Sequence, residues 1–217
     1  MRNYQQCLLD PSQAAILIID HQPQMYFGVQ SHDRAEILNH VTALAKAAQV
    51  FQVPCILTTV EAAQFSGYMA QKLQGVYPQT MPIDRTCINC WEDQNLRKVV
   101  AGTGKKKLIL AGLWTEACVT FPALCMLEDG YDVFAVTDAC GGASEEAHDM
   151  AIRRMAQAGV VPVTWQQVML EFQRDWNNKD TYDQVMEIIK EFSGAYGLGV
   201  EYGETMVQPA HIQLHKA

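Results

Sequence analysis

Short, continuous apolar runs alternate along this chain with longer segments whose apolar residues recur every three or four positions. The runs at 14–19 (AAILII), 54–60 (PCILTTV), 81–83, 107–111, 132–137 (DVFAVT) and 160–164 predict six strands. A run without polar alternation belongs to a strand buried on both faces, and parallel sheets are built from such strands. Between the first two runs, 34–52 carries a helical stripe of Ile37, Val41, Leu44, Ala48 and Phe51. Further helices are predicted at 64–74, 92–101, 115–129, 144–157, 166–172 and 182–192, with Ser144 and Gly159 as start and stop signals for the fourth of these. Strand and helix alternate throughout. The fold class is therefore α/β: a three-layer, Rossmann-like, six-stranded parallel sheet with helices on both faces and right-handed crossovers.

That pattern accounts for one domain over 1–193. From 194 to 217 the chain is Gly-rich with single apolar residues and cannot build a core of its own. It is either disordered or an arm laid on a neighbouring subunit, and the arm is favoured because Tyr196, Leu198, Val200, Tyr202, Met206 and Val207 would otherwise leave apolar area in water. A net charge of −8 and a pI of about 5.2 argue against nucleic acid or an anionic membrane as partner. No apolar run approaches the roughly 20 residues that span a bilayer. The first residues lack the apolar core of a signal peptide, and seven scattered cysteines form no disulfide framework; both favour the reducing cytoplasm.

The chemistry concentrates in 108–120 (LILAGLWTEACVT), which reads as a strand, a glycine turn and a helix whose first turn carries Cys118. A thiol there faces unpaired backbone N–H groups and the positive end of the helix dipole, which favour the nucleophilic thiolate. The alternative is a buried cysteine packing as a small hydrophobe. Ligands of open parallel sheets bind beyond the carboxyl ends of the strands, where strand order reverses. In the order 3-2-1-4-5-6 the first and fourth strands are neighbours at that reversal. Asp20, at the end of the first, and Cys118, after the fourth, would then share one crevice, and a carboxylate beside a thiol can act as its base. Arg85, after the third strand, would hold Asp20 ionised and favour the thiolate. A surface arginine with a solvated head is the plainer alternative.

LIIDHQ around Asp20, DRTCINCW around Arg85 and AGLWTEACVTFPA around Cys118 resemble the isochorismatase-like superfamily of cysteine hydrolases, and within it the YcaC-type branch. Gly112, Thr115, Cys118 and Val119 make its G-x-x-T-x-x-C-V pattern, and the resemblance continues through TGKKKLILAG, GYDVFAVTDACG and TWQQVMLEFQRDW. It implies a hydrolase of small amides, nitriles or related C–N bonds, acting through a thioester-type intermediate. Asp20 would be the base, Cys118 the nucleophile, and Arg85 stands where most members have Lys. Arginine cannot give up its proton, so it can orient and neutralise Asp20 but cannot shuttle a proton. Leu113–Trp114 matches the family's non-proline cis peptide. This implies an oxyanion hole of the Trp114 and Cys118 N–H groups, with the bulky Trp114 narrowing the pocket. Gln22, Glu61, Asn89, Trp91 and Phe121 are the expected pocket residues.

The resemblance also implies a homo-oligomer, a tetramer or octamer, acting on a small-molecule substrate. No cofactor is expected, and no metal. The Asp-x-His that binds a divalent ion in some relatives is replaced by TTVEAAQF, and Cys87 and Cys90 form a lone CxxC without a second half-site. His148 reads as a packing or hydrogen-bonding residue within its helix. Two other functions stay open: an isochorismatase-type ether hydrolase, whose chemistry uses no thiol, and a non-catalytic or redox-sensing protein built on Cys87 and Cys90.

Overall fold

The structure is a computed structural model that describes residues 8–207. Its strands are β1 (Ala14–Ile19), β2 (Cys55–Val60), β3 (Ile83–Arg85), β4 (Lys107–Gly112), β5 (Asp132–Val136) and β6 (Val161–Val163). They form one six-stranded sheet in the order β3-β2-β1-β4-β5-β6, parallel at every pairing. The helices are α1 (Pro23–Phe27), α2 (Arg34–Val50), α3 (Gln71–Gln74), α4 (Gln94–Gly102), α5 (Thr120–Glu128), α6 (Glu145–Ala158), α7 (Trp165–Gln173), α8 (Lys179–Phe192) and α9 (Ala195–Tyr202).

Every residue of β1 and β4 is buried, so both faces of the sheet centre are covered. Alternate side chains turn to opposite faces. Ala15, Leu17 and Ile19 of β1 join Leu108, Leu110 and Val133 of the neighbouring strands on one face. They form a single core with Leu96 and Val100 of α4, Ala123 and Met126 of α5, and Met155 of α6. By alternation Ile16, Ile18 and Ile109 serve the other face. Each fully buried Leu or Ile contributes about 1.5–3 kcal/mol, which explains why the chain gives these strands over to branched apolar residues. Polar caps mark the helix starts. Asp33 accepts from the Ala35 and Glu36 N–H groups at the head of α2, and Ser144 accepts from Ala147 N–H at the head of α6.

The strand order matches the expectation, and four elements differ from it. The third strand lies at Ile83–Arg85, later than 81–83, so Arg85 is a strand residue paired with Val60. The segment expected as helix 64–74 is a π-type turn at Ala62–Ser66 followed by the short α3. The helix expected from 115 opens as a π-type turn, Thr115–Val119, before α5 begins at Thr120. Two helices, α1 and α9, lie where none is expected.

Packing divides the chain into two compact units, one ending at Phe172 and the other beginning at Gln173, earlier than the boundary at 193 read from composition. In the second unit, α9 occupies part of the segment expected as a tail, against α8. A Cβ on Gly197 would stand 2.5 Å from the Ile189 carbonyl oxygen, a close approach that only glycine permits. Residues 208–217 of that tail lie outside the described residues. Among the described residues no helix is long and apolar enough to cross a membrane.

Candidate active site

The register brings the ends of β1 and β4 level: Ile19 pairs with Gly112 on one side and, on the other, with Thr58 of β2, two residues before that strand ends. The backbone breaks sharply there. Asp20 has φ 57 and Glu61, after β2, has φ 47, both in the left-handed region that residues with a Cβ enter at some cost. Asp20 still donates its N–H to the Thr58 carbonyl at 3.0 Å, so the last ladder bond survives the turn. Gly112 allows β1 and β4 to close up at this edge. A Cβ on it would lie 2.8 Å from Ile19 Cβ and 2.9 Å from the Ile19 carbonyl oxygen.

Asp20, Arg85 and Cys118 meet at this edge. Arg85 Nη1 and Nη2 donate to the two Asp20 carboxylate oxygens at 3.0 and 2.8 Å, and Nη1 also donates to the Thr59 carbonyl at 3.1 Å. Both side chains of the pair are fully buried. The parallel two-point contact fixes the carboxylate's orientation as well as its charge. The Cys118 thiol hydrogen-bonds to the same carboxylate, and the Trp114 backbone N–H lies against its sulfur. The Leu113–Trp114 peptide bond is cis. The Trp114 indole N–H donates to the Met25 carbonyl at 2.9 Å and its ring packs on Gly28, contacts that hold it on the α1 side.

The electrostatics correct one expectation. Burial pushes the Cys118 thiol up to about 12, and the Asp20 charge and hydrogen bond push the same way. The Trp114 N–H and the Arg85 charge pull down without prevailing. The sulfur sits in a wide π-type turn, buried, rather than in the first turn of a regular helix, so the helix-dipole argument for a resting thiolate fails. Burial also raises the Asp20 carboxyl, against the opposing pull of Arg85 and the Cys118 hydrogen bond. A raised carboxyl is the better proton acceptor.

The pocket candidates part company. Gln22 is fully buried and spends its amide on backbone. Nε2 donates to the Val60 and Gly67 carbonyls at 3.1 and 2.5 Å, and Oε1 accepts from the Val60 N–H at 2.9 Å. It braces the loop after β2 instead of presenting donors to a ligand. Asn89 caps the short turn Cys90–Glu92 through the Trp91 N–H and reaches the Cys125 sulfur at 3.4 Å. Trp91 points away from the site. Its indole N–H donates to Asp129 at 2.8 Å, beyond the far end of α5, and it lines a separate open cleft of about 380 Å³ with Arg97, Lys98, Ala101 and Tyr131. Glu61 is half-buried just past β2, and Phe121 is part exposed at the start of α5.

Two participants are not among the expected site residues, although Cys90 is visible in the sequence as half of the lone CxxC. The Thr59 carbonyl is a backbone group. Cys90 is buried close enough to Arg85, Asp20 and Cys118 to feel their charges, and burial drives its thiol far above its usual range. Among the described residues no three His, Cys, Asp or Glu side chains gather closely enough to hold a metal ion.

Residues 14–167 match the Isochorismatase domain model. The probable hydrolase YcaC of Escherichia coli K12 is 42% identical over 171 residues, 78% of this chain and 82% of that protein. The structure of YcaC from Pseudomonas aeruginosa, with hexane-2,5-diol and covalent acrylamide, superposes with a TM-score of 0.84 at 38% identity, covering 89% of this chain and 96% of that one. The E. coli YcaC structure, described as an octameric hydrolase of unknown specificity, superposes with a TM-score of 0.87 at 36% identity, covering 92% and 97%.

Proposed function

The chain belongs to the isochorismatase family of hydrolases, and from that premise we propose that it cleaves small C–N substrates, amides or nitriles, through a covalent intermediate on Cys118. The observation that carries this reading is the Asp20 carboxylate held between the Arg85 guanidinium and the Cys118 thiol. The covalent acrylamide in the Pseudomonas relative supports only the nucleophile in this reading, since acrylamide takes up a nucleophile at its alkene carbon.

For an amide, the resting state is a neutral thiol beside an ionised Asp20. As sulfur bonds to the carbonyl carbon, the thiol proton passes to Asp20 and the negative charge moves onto the substrate oxygen. The Trp114 N–H, with that of Cys118, faces the oxyanion. Loss of one such donor typically costs about 3–4 kcal/mol of transition-state stabilisation. Collapse breaks the C–N bond, Asp20 returns its proton to the leaving nitrogen, and a thioester remains. Asp20 then takes a proton from water as the hydroxyl adds to the thioester carbon. The acid leaves, and sulfur recovers the proton from Asp20. Arg85 stays protonated throughout, orienting the carboxylate and offsetting its charge.

The protein is further proposed to act as a homo-oligomer, by similarity to the octameric E. coli relative. The exposed Leu198, Tyr202, Met206 and Val207 offer apolar surface to a neighbouring copy. The test of the catalytic reading is a panel of small amides, nitriles, ureas and hydroxamates assayed with wild type and Cys118→Ala, with adducts located by peptide mass mapping. An adduct on Cys118 and loss of turnover in the variant are expected; full turnover by Cys118→Ala overturns the reading.

A further inference from the structure

We propose that His148 of α6 is a positioning residue for the nucleophile, holding through Thr115 the turn that carries Cys118. The inference rests on the reading of Cys118 as nucleophile.

Thr115 opens the π-type turn Thr115–Val119 and is fully buried. Its Oγ1 meets His148 Nδ1 at 2.9 Å. Its N–H donates to the Gly141 carbonyl at 3.0 Å, and its carbonyl accepts the Thr120 hydroxyl at 2.7 Å. Thr115 is thus clamped on its side chain, N–H and carbonyl, three positions before the sulfur. A single wide turn has no hydrogen-bonded ladder before it to set its geometry, so anchors of this kind must do so.

His148 is suited to the task. It is buried, and burial lowers its pKa to about 4, with the neighbouring His32 acting in the same direction. The two rings stand edge to face with centroids 4.6 Å apart. A neutral imidazole shares a hydrogen bond with a hydroxyl without bringing a charge into the core. The backbone that carries the ring is closely packed. A Cβ on Gly142 would lie 3.0 Å from the His148 backbone nitrogen and 2.9 Å from Glu116 Oε2. The 142–143 loop is itself tied down. Gly142 N–H donates to Ser31 Oγ at 2.9 Å and Ala143 N–H to Glu116 Oε1 at 3.0 Å. His148 is therefore wedged between the turn and this loop. The contacts of the imidazole are with Thr115 and the His32 ring, so it acts on Cys118 through Thr115.

The test is the rate of Cys118 alkylation by acrylamide at pH 7.5, followed by intact mass and peptide mapping on the full chain, with melting temperature read alongside. His148→Leu and the isosteric Thr115→Val are each expected to slow alkylation roughly 10–100-fold, because a misplacement of about 1 Å costs on that order. His148→Asn, whose amide can reach Thr115 Oγ1, should recover most of the rate. The double variant should be no slower than the slower single, since both remove one contact. A folded His148→Leu at the wild-type rate, or a double variant whose losses multiply, overturns the proposal. If His148→Leu fails to fold, Thr115→Val and His148→Asn decide it. A wild-type Cys118 that reacts no faster than the other cysteines overturns the nucleophile reading instead, and that result is visible before any variant is made.

Discussion

Replacing Asp20 with Asn separates a thiol that is ionised at rest from one that is deprotonated only as it attacks. With the Cys118 thiol pushed up to about 12, its thiolate fraction at pH 7 is about 10⁻⁵. Forming that thiolate costs about 4–5 kcal/mol more than for a free cysteine. If Asp20 accepts the proton as the carbon–sulfur bond forms, the reaction does not wait for the free thiolate. Wild-type alkylation by acrylamide should then be nearly flat from pH 7 to 9. Asp20→Asn removes the acceptor, and the rate at pH 7 should fall by about 10²–10⁴. What remains should rise tenfold per pH unit. The variant also gains on wild type at high pH, because the Asp20 charge is one of the causes that raise the thiol. The assay is pseudo-first-order alkylation by mass spectrometry across pH, on samples whose folding is checked by melting. A wild-type rate already rising tenfold per unit through pH 7–9, or a variant within twofold of wild type at pH 7, refutes the general-base argument.

Arg85→Lys keeps the charge and loses the two-point grip on Asp20. It should cost about 1–3 kcal/mol in urea unfolding and slow alkylation, whereas Arg85→Met, which strands the buried carboxylate, should cost about 3–5 kcal/mol. Gln22→Ala leaves the Val60 N–H and the Val60 and Gly67 carbonyls without this partner. It should destabilise by about 2–4 kcal/mol in the same assay with little change in Cys118 mapping. Acid should weaken the fold through two histidines. His21 is lowered to about 3 and His148 to about 4, so the native state binds fewer protons than the unfolded one. Their contribution is complete above pH 6.5 and is lost as pH falls toward 4, by about 1.4 kcal/mol per pH unit for each. The raised Asp20 carboxyl opposes this, since the native state takes up that proton more readily. Urea midpoints at fixed protein concentration from pH 7 to 4.5 measure the balance, and a midpoint that rises on acidification contradicts it.

What could be read from the sequence follows from how local each feature is. β1 agrees with its apolar run to the residue because no polar side chain interrupts a strand buried on both faces. β3 and β6 are three residues long, too short for periodicity to place, and Arg85 sits inside β3 only by its register with Val60. The turn around Cys118 keeps an apolar pattern that a regular helix shares, so its wider hydrogen bonding leaves no trace in the residue order. The thiol's shift is set by burial and by a carboxylate 98 positions away, which a local argument from the helix dipole could not weigh. Trp91 was sent elsewhere by Asp129, a partner that only packing reveals.

The arginine in place of lysine fits the neutral thiol. At rest the buried group comprises a guanidinium, a carboxylate and a neutral sulfur, and its charge sums to zero. A free thiolate would add an uncompensated negative charge in a buried, poorly hydrated position, and burial accordingly pushes the thiol up. On the proposed mechanism the proton moves from sulfur to Asp20 while the new negative charge leaves for the substrate oxygen. Arg85 then faces a neutral acid, and the oxyanion lies against the Trp114 N–H. No negative charge accumulates on the buried side chains, and the positive charge left on Arg85 is offset by the oxyanion, so no second proton carrier is needed there. A cation that cannot titrate has one further consequence: it holds the carboxylate in place through every step, whereas a lysine in this apolar setting could itself lose its proton.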